Sequence, residues 1–289
     1  MSEFPKIDPQ LMLTARKTID NAYRDFSREY GDQIETIFDP LLSMLIWFET
    51  ILLQSPWWLI FSGICLFVFW VTRSWKTLGI VSISLAAIGY LGMWENTMRT
   101  LCMISVCTLF SICIGIPVGI LMARSDRMEK ALNPLLDVMQ TMPAFVYLIP
   151  VVMLLGIGRI PGLIAVVIYA VPPLIRLTNV GIRLVDQKVI EAADAFGASY
   201  RQRLIGVQLP LALPNIMTGI NQTIMMALAM VVIASMIGVK GLGQPVLRSI
   251  TNQYFTLGLL NGLAIVALAV IFDRISQAYG RRLQKRTLG

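Results

Sequence analysis

The sequence predicts an all-α, polytopic membrane protein, and three observations carry that prediction. Of its 289 residues, 56% are hydrophobic and only 14% charged, with a mean hydropathy of +0.70. A soluble domain carries about a quarter charged residues. Seven apolar stretches of about 17 residues or more recur along the chain, each long enough to cross ~30 Å of hydrocarbon as a helix. The polar interruptions between them are alternately basic, as the positive-inside rule requires of a chain that crosses repeatedly.

The elements follow in order. Residues 1–56 hold five Lys/Arg against nine Asp/Glu, a net of −4, whereas the remainder holds 19 against eight, a net of +11. Over 11–54 the charges are spaced regularly among Leu, Ile, Phe and Trp, which predicts an amphipathic helix. Within it, Leu41–Leu53 is apolar but carries Glu49 and spans only 13 residues, so it is expected to lie along the membrane surface. Met1–Pro5 has no basic flank leading into an apolar core, and no cleaved signal peptide is expected. Spans are predicted at 57–73, 77–94, 97–123, 134–156, 160–180, 211–237 and 256–278. Arg73/Lys76, Arg124/Arg127/Lys130, Arg201/Arg203 and a basic tail over 281–289 occupy alternate interruptions. That places them in the cytoplasm and the N-terminus outside. Trp57 and Trp58 would mark the outer interface, Trp70 and Trp75 the inner one. The predicted organisation is an interfacial segment 1–56, a transmembrane domain 57–280 and the tail 281–289.

Several chemistries are excluded. The chain has no histidine, the commonest general base and metal ligand. Cys65, Cys102, Cys107 and Cys113 lie in apolar runs and read as packing residues. With no paired carboxylates, nucleophile–base pair or metal constellation, no catalytic residue, metal or cofactor is expected. No G-x-x-x-x-G-K-[ST] sequence is present, so the chain does not cradle ATP phosphates itself. A pI near 9.4 and a helix–Gly–helix element superficially suggest DNA binding. Spans abut that element on both sides and keep it out of a groove, so nucleic acid is not an expected partner.

That element, residues 186–210, is the most informative part of the sequence. Asp186 is placed to cap a short helix and Gly197 to end it in a left-handed conformation. Ser199-Tyr200-Arg201-Gln202 reads as a capping box opening a second helix that runs to Pro210. Between lie Glu191-Ala192-Ala193, with a flat face of small side chains that a partner's groove would admit. Glu191-Ala192-Ala193, Gly197, Val207 and Leu209-Pro210 keep the spacing of the cytoplasmic EAA loop of ATP-binding-cassette (ABC) importer permeases, with Val207 standing where isoleucine is usual. Gln140-Thr141-Met142-Pro143, Ala170-Val171-Pro172-Pro173, Val232-Ile233-Ala234-Ser235 and Gly241-Leu242-Gly243-Gln244 extend the likeness over about 75–280. The chain thus resembles the permease subunits of the glycine betaine/proline betaine and choline importers.

The resemblance implies a type I ABC importer permease fold in a bacterial inner membrane, and no enzymatic activity of its own. It further implies an ABC ATPase subunit that binds the ATP and docks through Glu191, Ala192, Ala193, Gly197, Leu209 and Pro210. An extracytoplasmic substrate-binding protein and a second copy of the chain complete the expected partners, with membrane lipid around them. Rival readings are a permease of the same architecture for an amino acid such as methionine, and an ion-coupled secondary transporter. The latter would normally carry acidic residues at span centres.

Polar side chains at membrane depth are costly and often line a pathway. Asn221, Gln222 and Thr223, followed by Met226, form one candidate face. Gln140, Thr141 and Tyr147, beside the helix-bending Pro143 and Pro150, form another. Hydrogen bonding between helices is the alternative use of the same groups.

Overall fold

The computed structural model describes residues 7–287. The reading of Met1–Pro5 and the end of the basic tail lie outside the described residues. Those residues form helices and contain no strand: α1 (Pro9–Gln54), α2 (Trp57–Thr72), α3 (Trp75–Tyr90), α4 (Trp94–Arg124), α5 (Asp126–Thr141), α6 (Leu148–Leu155), α7 (Arg159–Ala170), α8 (Pro172–Arg183), α9 (Gln187–Ala195), α10 (Tyr200–Arg203), α11 (Leu209–Ala234), α12 (Gly243–Asn252) and α13 (Phe255–Thr287).

The count of seven spans is approximate. Five helical stretches are long and apolar enough to cross a bilayer: α1, α4, α7–α8, Tyr200–Ile237 and α13. The expected span at 134–156 is instead broken, α5 and the Ala144–Leu155 stretch meeting at 112°. Pro143 begins a 3₁₀ turn there (Ala144–Tyr147), because a proline cannot donate the bond that would continue the helix. α2 and α3 have only 16 residues each, about 24 Å of rise. The polar interruption expected over 240–254 contains a helix of its own, α12. α1 is one continuous helix of 46 residues and covers the helix expected over 11–54.

A single α8 sits between α4 and α11, and small residues make that possible. A Cβ at Gly119 of α4 would lie 2.5 Å from Thr178 Cβ, and one at Gly181 of α8 would lie 2.8 Å from Asn215 Cβ on α11. Without a hydrophobic drive between helices in lipid, close backbone approach of this kind is the main packing gain.

The basic interruptions gather at one end. Arg282 stacks over Trp70 at 5.4 Å and donates to its carbonyl at 3.0 Å, joining the ends of α13 and α2. Arg124 lies 4.8 Å over the Tyr200 ring. At the opposite end the Leu242 amide donates to Thr100 Oγ1 at 2.9 Å. There Glu49 of α1, 9% exposed, sits between Arg99 at 3.1 Å and Arg159 at 2.8 Å. Tyr23 and Ser27 donate to the carbonyls of Pro150 and Leu154 at 2.5 and 2.9 Å. These polar anchors of α1 therefore all meet the end opposite the basic one.

Candidate functional site

At the basic end the chain leaves the bundle after Arg183 and makes an elbow. Asp186 caps α9 by accepting the Lys188 amide at 2.9 Å. The helix closes with Gly197 N–H donating to Asp194 O at 2.9 Å and Ala198 N–H to Ala193 O at 3.1 Å. Gly197 has φ +75°, the conformation for which glycine carries no Cβ penalty. Ser199 and Gln202 then form the capping box reciprocally, the Ser199 amide donating to Gln202 Oε1 at 2.8 Å and the Gln202 amide to Ser199 Oγ at 3.4 Å. Arg203 returns to Asp194 at 2.8 Å and locks the two arms.

The second arm does not end at Pro210. It passes through a π segment, Leu204–Gln208, directly into α11, the Leu209 amide donating to Leu204 O. Widening the helix here relieves the missing amide and the ring of Pro210.

The elbow presents apolar surface. No residue of α9 is buried; Glu191 and Ala192 are exposed, Ala193 half-buried, and Leu209 and Pro210 half-buried at the joint. Phe196 is 93% exposed, Leu184 70% and Ile205 66%, large apolar side chains left open on and beside the elbow. A polar base supports it: Arg183 pairs with Asp126 at 2.7 Å and Glu129 at 3.2 Å, and Asn179 donates to Glu129 at 2.8 Å. Arg176 pairs with Asp137. These ties bind α8, which leads into the elbow, to α5.

The family described as binding-protein-dependent transport system inner membrane component matches residues 115–285, from the middle of α4 through the elbow to the end of α13. This chain belongs to that family. It is a multi-pass component of the inner membrane and a transmembrane ABC permease. It is 49% identical over 252 residues to the glycine betaine/proline betaine transport system permease protein ProW of Escherichia coli, covering 86% of this chain and 70% of that one. It is 46% identical over 230 residues to the glycine betaine/carnitine transport permease protein GbuB of Listeria monocytogenes, covering 78% and 82% respectively. A chain of the MetNI methionine ABC transporter in an inward-facing conformation shares the fold with a TM-score of 0.57 at 21% identity, over 68% of this permease and 95% of that chain.

In this permease the pathway candidates do not form one wall. The 3₁₀ turn carrying Tyr147 packs against α11. Tyr147 is buried, donates to the Met139 carbonyl across the break, and meets Tyr169 edge-on at 5.7 Å. Gln140 and Thr141 are exposed, Thr141 bonding its own helix at Asp137 O, 3.0 Å away. Asn221 points to α13, donating to Asp273 at 3.0 Å and accepting from Ser276 at 2.6 Å. Thr223 is fully buried, Met226 half-buried and Gln222 exposed. Asp273 and Glu49 were not singled out from the sequence as site residues. A carboxylate within the predicted span 256–278, beside Arg274, was the signal available for Asp273.

Proposed function

We propose that two copies of this permease form the membrane path of an ATP-driven importer for a compact methylated amine: glycine betaine, proline betaine, choline or a relative. The glycine betaine transport systems to which ProW and GbuB belong support the solute class. A separate ATPase subunit binds the ATP and docks on the elbow, and an extracytoplasmic binding protein delivers the solute. Closure of the ATPase pair is passed through α8 and the π segment to the spans, which rock between inward- and outward-open states.

One observation carries this reading. The elbow is built for contact rather than burial, with Phe196, Leu184 and Ile205 open at the basic end. A second observation gives the path: Pro214, Thr218, Gln222 and Ala229 form an exposed stripe at helical spacing on α11, an otherwise well-packed helix. A second copy covering that stripe would enclose Gln222, with Asn221, Thr223 and Met226 flanking it and Gln140, Thr141 and Tyr147 approaching from the broken helix. In this reading α1 lies along the outer surface as an interfacial segment, which its ties to Pro150, Leu154 and Arg159 support.

Uptake of radiolabelled glycine betaine into vesicles containing the permease, the ATPase and the binding protein tests the proposal. Accumulation should require trapped ATP and be competed by proline betaine or choline. ATP-independent uptake driven by an ion gradient, or competition by methionine alone, would overturn it.

A further inference from the structure

Asp273 lies eight residues before Arg281 on α13, a rise of about 12 Å. Arg282 marks the inner interface through its contacts with Trp70. Asp273 is therefore a carboxylate about two turns inward of that interface, followed by the exposed Arg274, and ionisable groups on a span often mark functional sites. It has no ion pair among the described residues. Instead it accepts Asn221 Nδ2 at 3.0 Å and Gln277 Nε2 at 2.8 Å on each oxygen.

Those bonds leave a particular chemistry behind. Both amides turn their donors to the carboxylate. Asn221 Oδ1 takes the Ser276 hydroxyl at 2.6 Å, and Gln277 Oε1 has no partner among the described residues. Beside this acceptor-rich cluster is a cavity of about 350 Å³ lined by Pro214, Thr218, Asn221, Ser276, Gln277 and, at its inner end, Arg281. That volume is in the range of small-molecule sites. A clasp between α11 and α13 alone needs neither a net charge nor an open cavity. The cavity has negative character at its deeper end and a guanidinium at its shallower end. It also adjoins the exposed α11 stripe through Pro214 and Thr218.

We propose that this groove is a release-side subsite for a compact zwitterion. Asp273, acting through the Asn221 and Gln277 amides, attracts the ammonium end, and Arg281 receives the carboxylate. The inference rests on the proposed function for the class of solute, and it adds a place where that solute pauses before leaving to the cytoplasm. A cation lacking the carboxylate occupies the deeper end only.

The test is thiol accessibility at Thr218→Cys in the assembled transporter, in inside-out vesicles, with Cys65 and Cys113 replaced by serine. Cys102 and Cys107 are buried and can stay. Saturating glycine betaine should slow labelling at least threefold, and choline should slow it less. D273N should abolish protection by both, whereas D273E should retain part of it. R281Q should abolish protection by glycine betaine but leave that by choline, and R281K should restore it. Membrane abundance of each variant separates loss of the site from loss of the chain. Labelling unaffected by either solute, or protection that survives D273N unchanged, would overturn the subsite. Uptake measured in the same vesicles keeps the readings apart: ATP-driven betaine uptake without protection sinks the subsite alone, whereas absent uptake sinks the proposed function.

Discussion

Replacing Gly197 isolates backbone conformation from packing. Its φ is +75°, and a Cβ built there meets nothing within 4 Å, so the whole penalty of a side chain is the left-handed conformation. For alanine that is about 1 kcal/mol, and for a β-branched residue about 2 kcal/mol. At 1.4 kcal/mol per decade, Gly197→Ala should reduce the equilibrium constant for forming the elbow roughly fivefold and Gly197→Val roughly thirtyfold. Gly197→Asn should cost only a few tenths of a kcal/mol, roughly, because asparagine tolerates this region. The bonds to Asp194 and Ala193 that close α9 would be lost in proportion, separating Phe196 from the Glu191–Ala193 face. Co-purification of the ATPase subunit and solute-stimulated ATP hydrolysis, at equal amounts of inserted chain, give the readout. The order Gly, Asn, Ala, Val is expected in both. A valine variant that couples normally, or asparagine and alanine variants that behave alike, would refute the argument.

Other perturbations follow from packing and charge. Gly119→Val puts its Cβ 2.5 Å from Thr178 Cβ and 2.8 Å from the Ile175 carbonyl. Overpacking there should cost about 1–3 kcal/mol or more and lower the melting temperature of the purified permease, while Gly63→Ala, with nothing within 4 Å, should not. Glu49→Gln leaves Arg99 and Arg159 without their shared carboxylate. Breaking a buried pair costs roughly 3–5 kcal/mol, which the partial exposure of Arg159 lowers to about 2 kcal/mol. Hydrogen exchange should rise in α1 but not in α11. Single cysteines should label from outside at position 10 and only from inside at position 285; labelling of both from one side would contradict the arrangement of the basic ends.

The elbow was legible in the sequence because its determinants are local. A capping aspartate, a left-handed glycine and a capping box each act within about four residues of their own position, and the structure forms all three. The membrane class and a bend at Pro143 were equally local, although the sequence predicts a single span over 134–156. What escaped was set by distant contacts. Leu41–Leu53 read as the surface-lying part of a helix over 11–54, but the ties of that helix to the bundle did not show: Tyr23 and Ser27 bond to Pro150 and Leu154 while Glu49 reaches Arg159. Asn221 read as a pathway residue because its cost in hydrocarbon was evident, whereas Asp273, 52 positions away, is visible as its partner only in three dimensions. Pro210 read as a stop because proline ordinarily breaks an α-helix. A π segment is the exception that lets the helix continue.

That continuity has a consequence for angle. Tyr200–Ile237 is one helical rod of 38 residues, about 57 Å from the cytoplasmic contact surface to the outer turn. Residue number along such a rod is a phase, each residue worth about 100°, and the π segment adds one residue to what an α-helix needs over the same stretch. Deleting any one residue within 204–208 would leave good helix on both sides. Because that removes the surplus residue, Gln222 would keep its phase relative to Tyr200, whereas a deletion in the α-helical part of the rod would swing it by roughly 100°. The joint therefore acts as a slack link: chimaeras of related permeases spliced between Ser199 and Asn221 should tolerate loss of one residue within 204–208 but of none elsewhere in the splice.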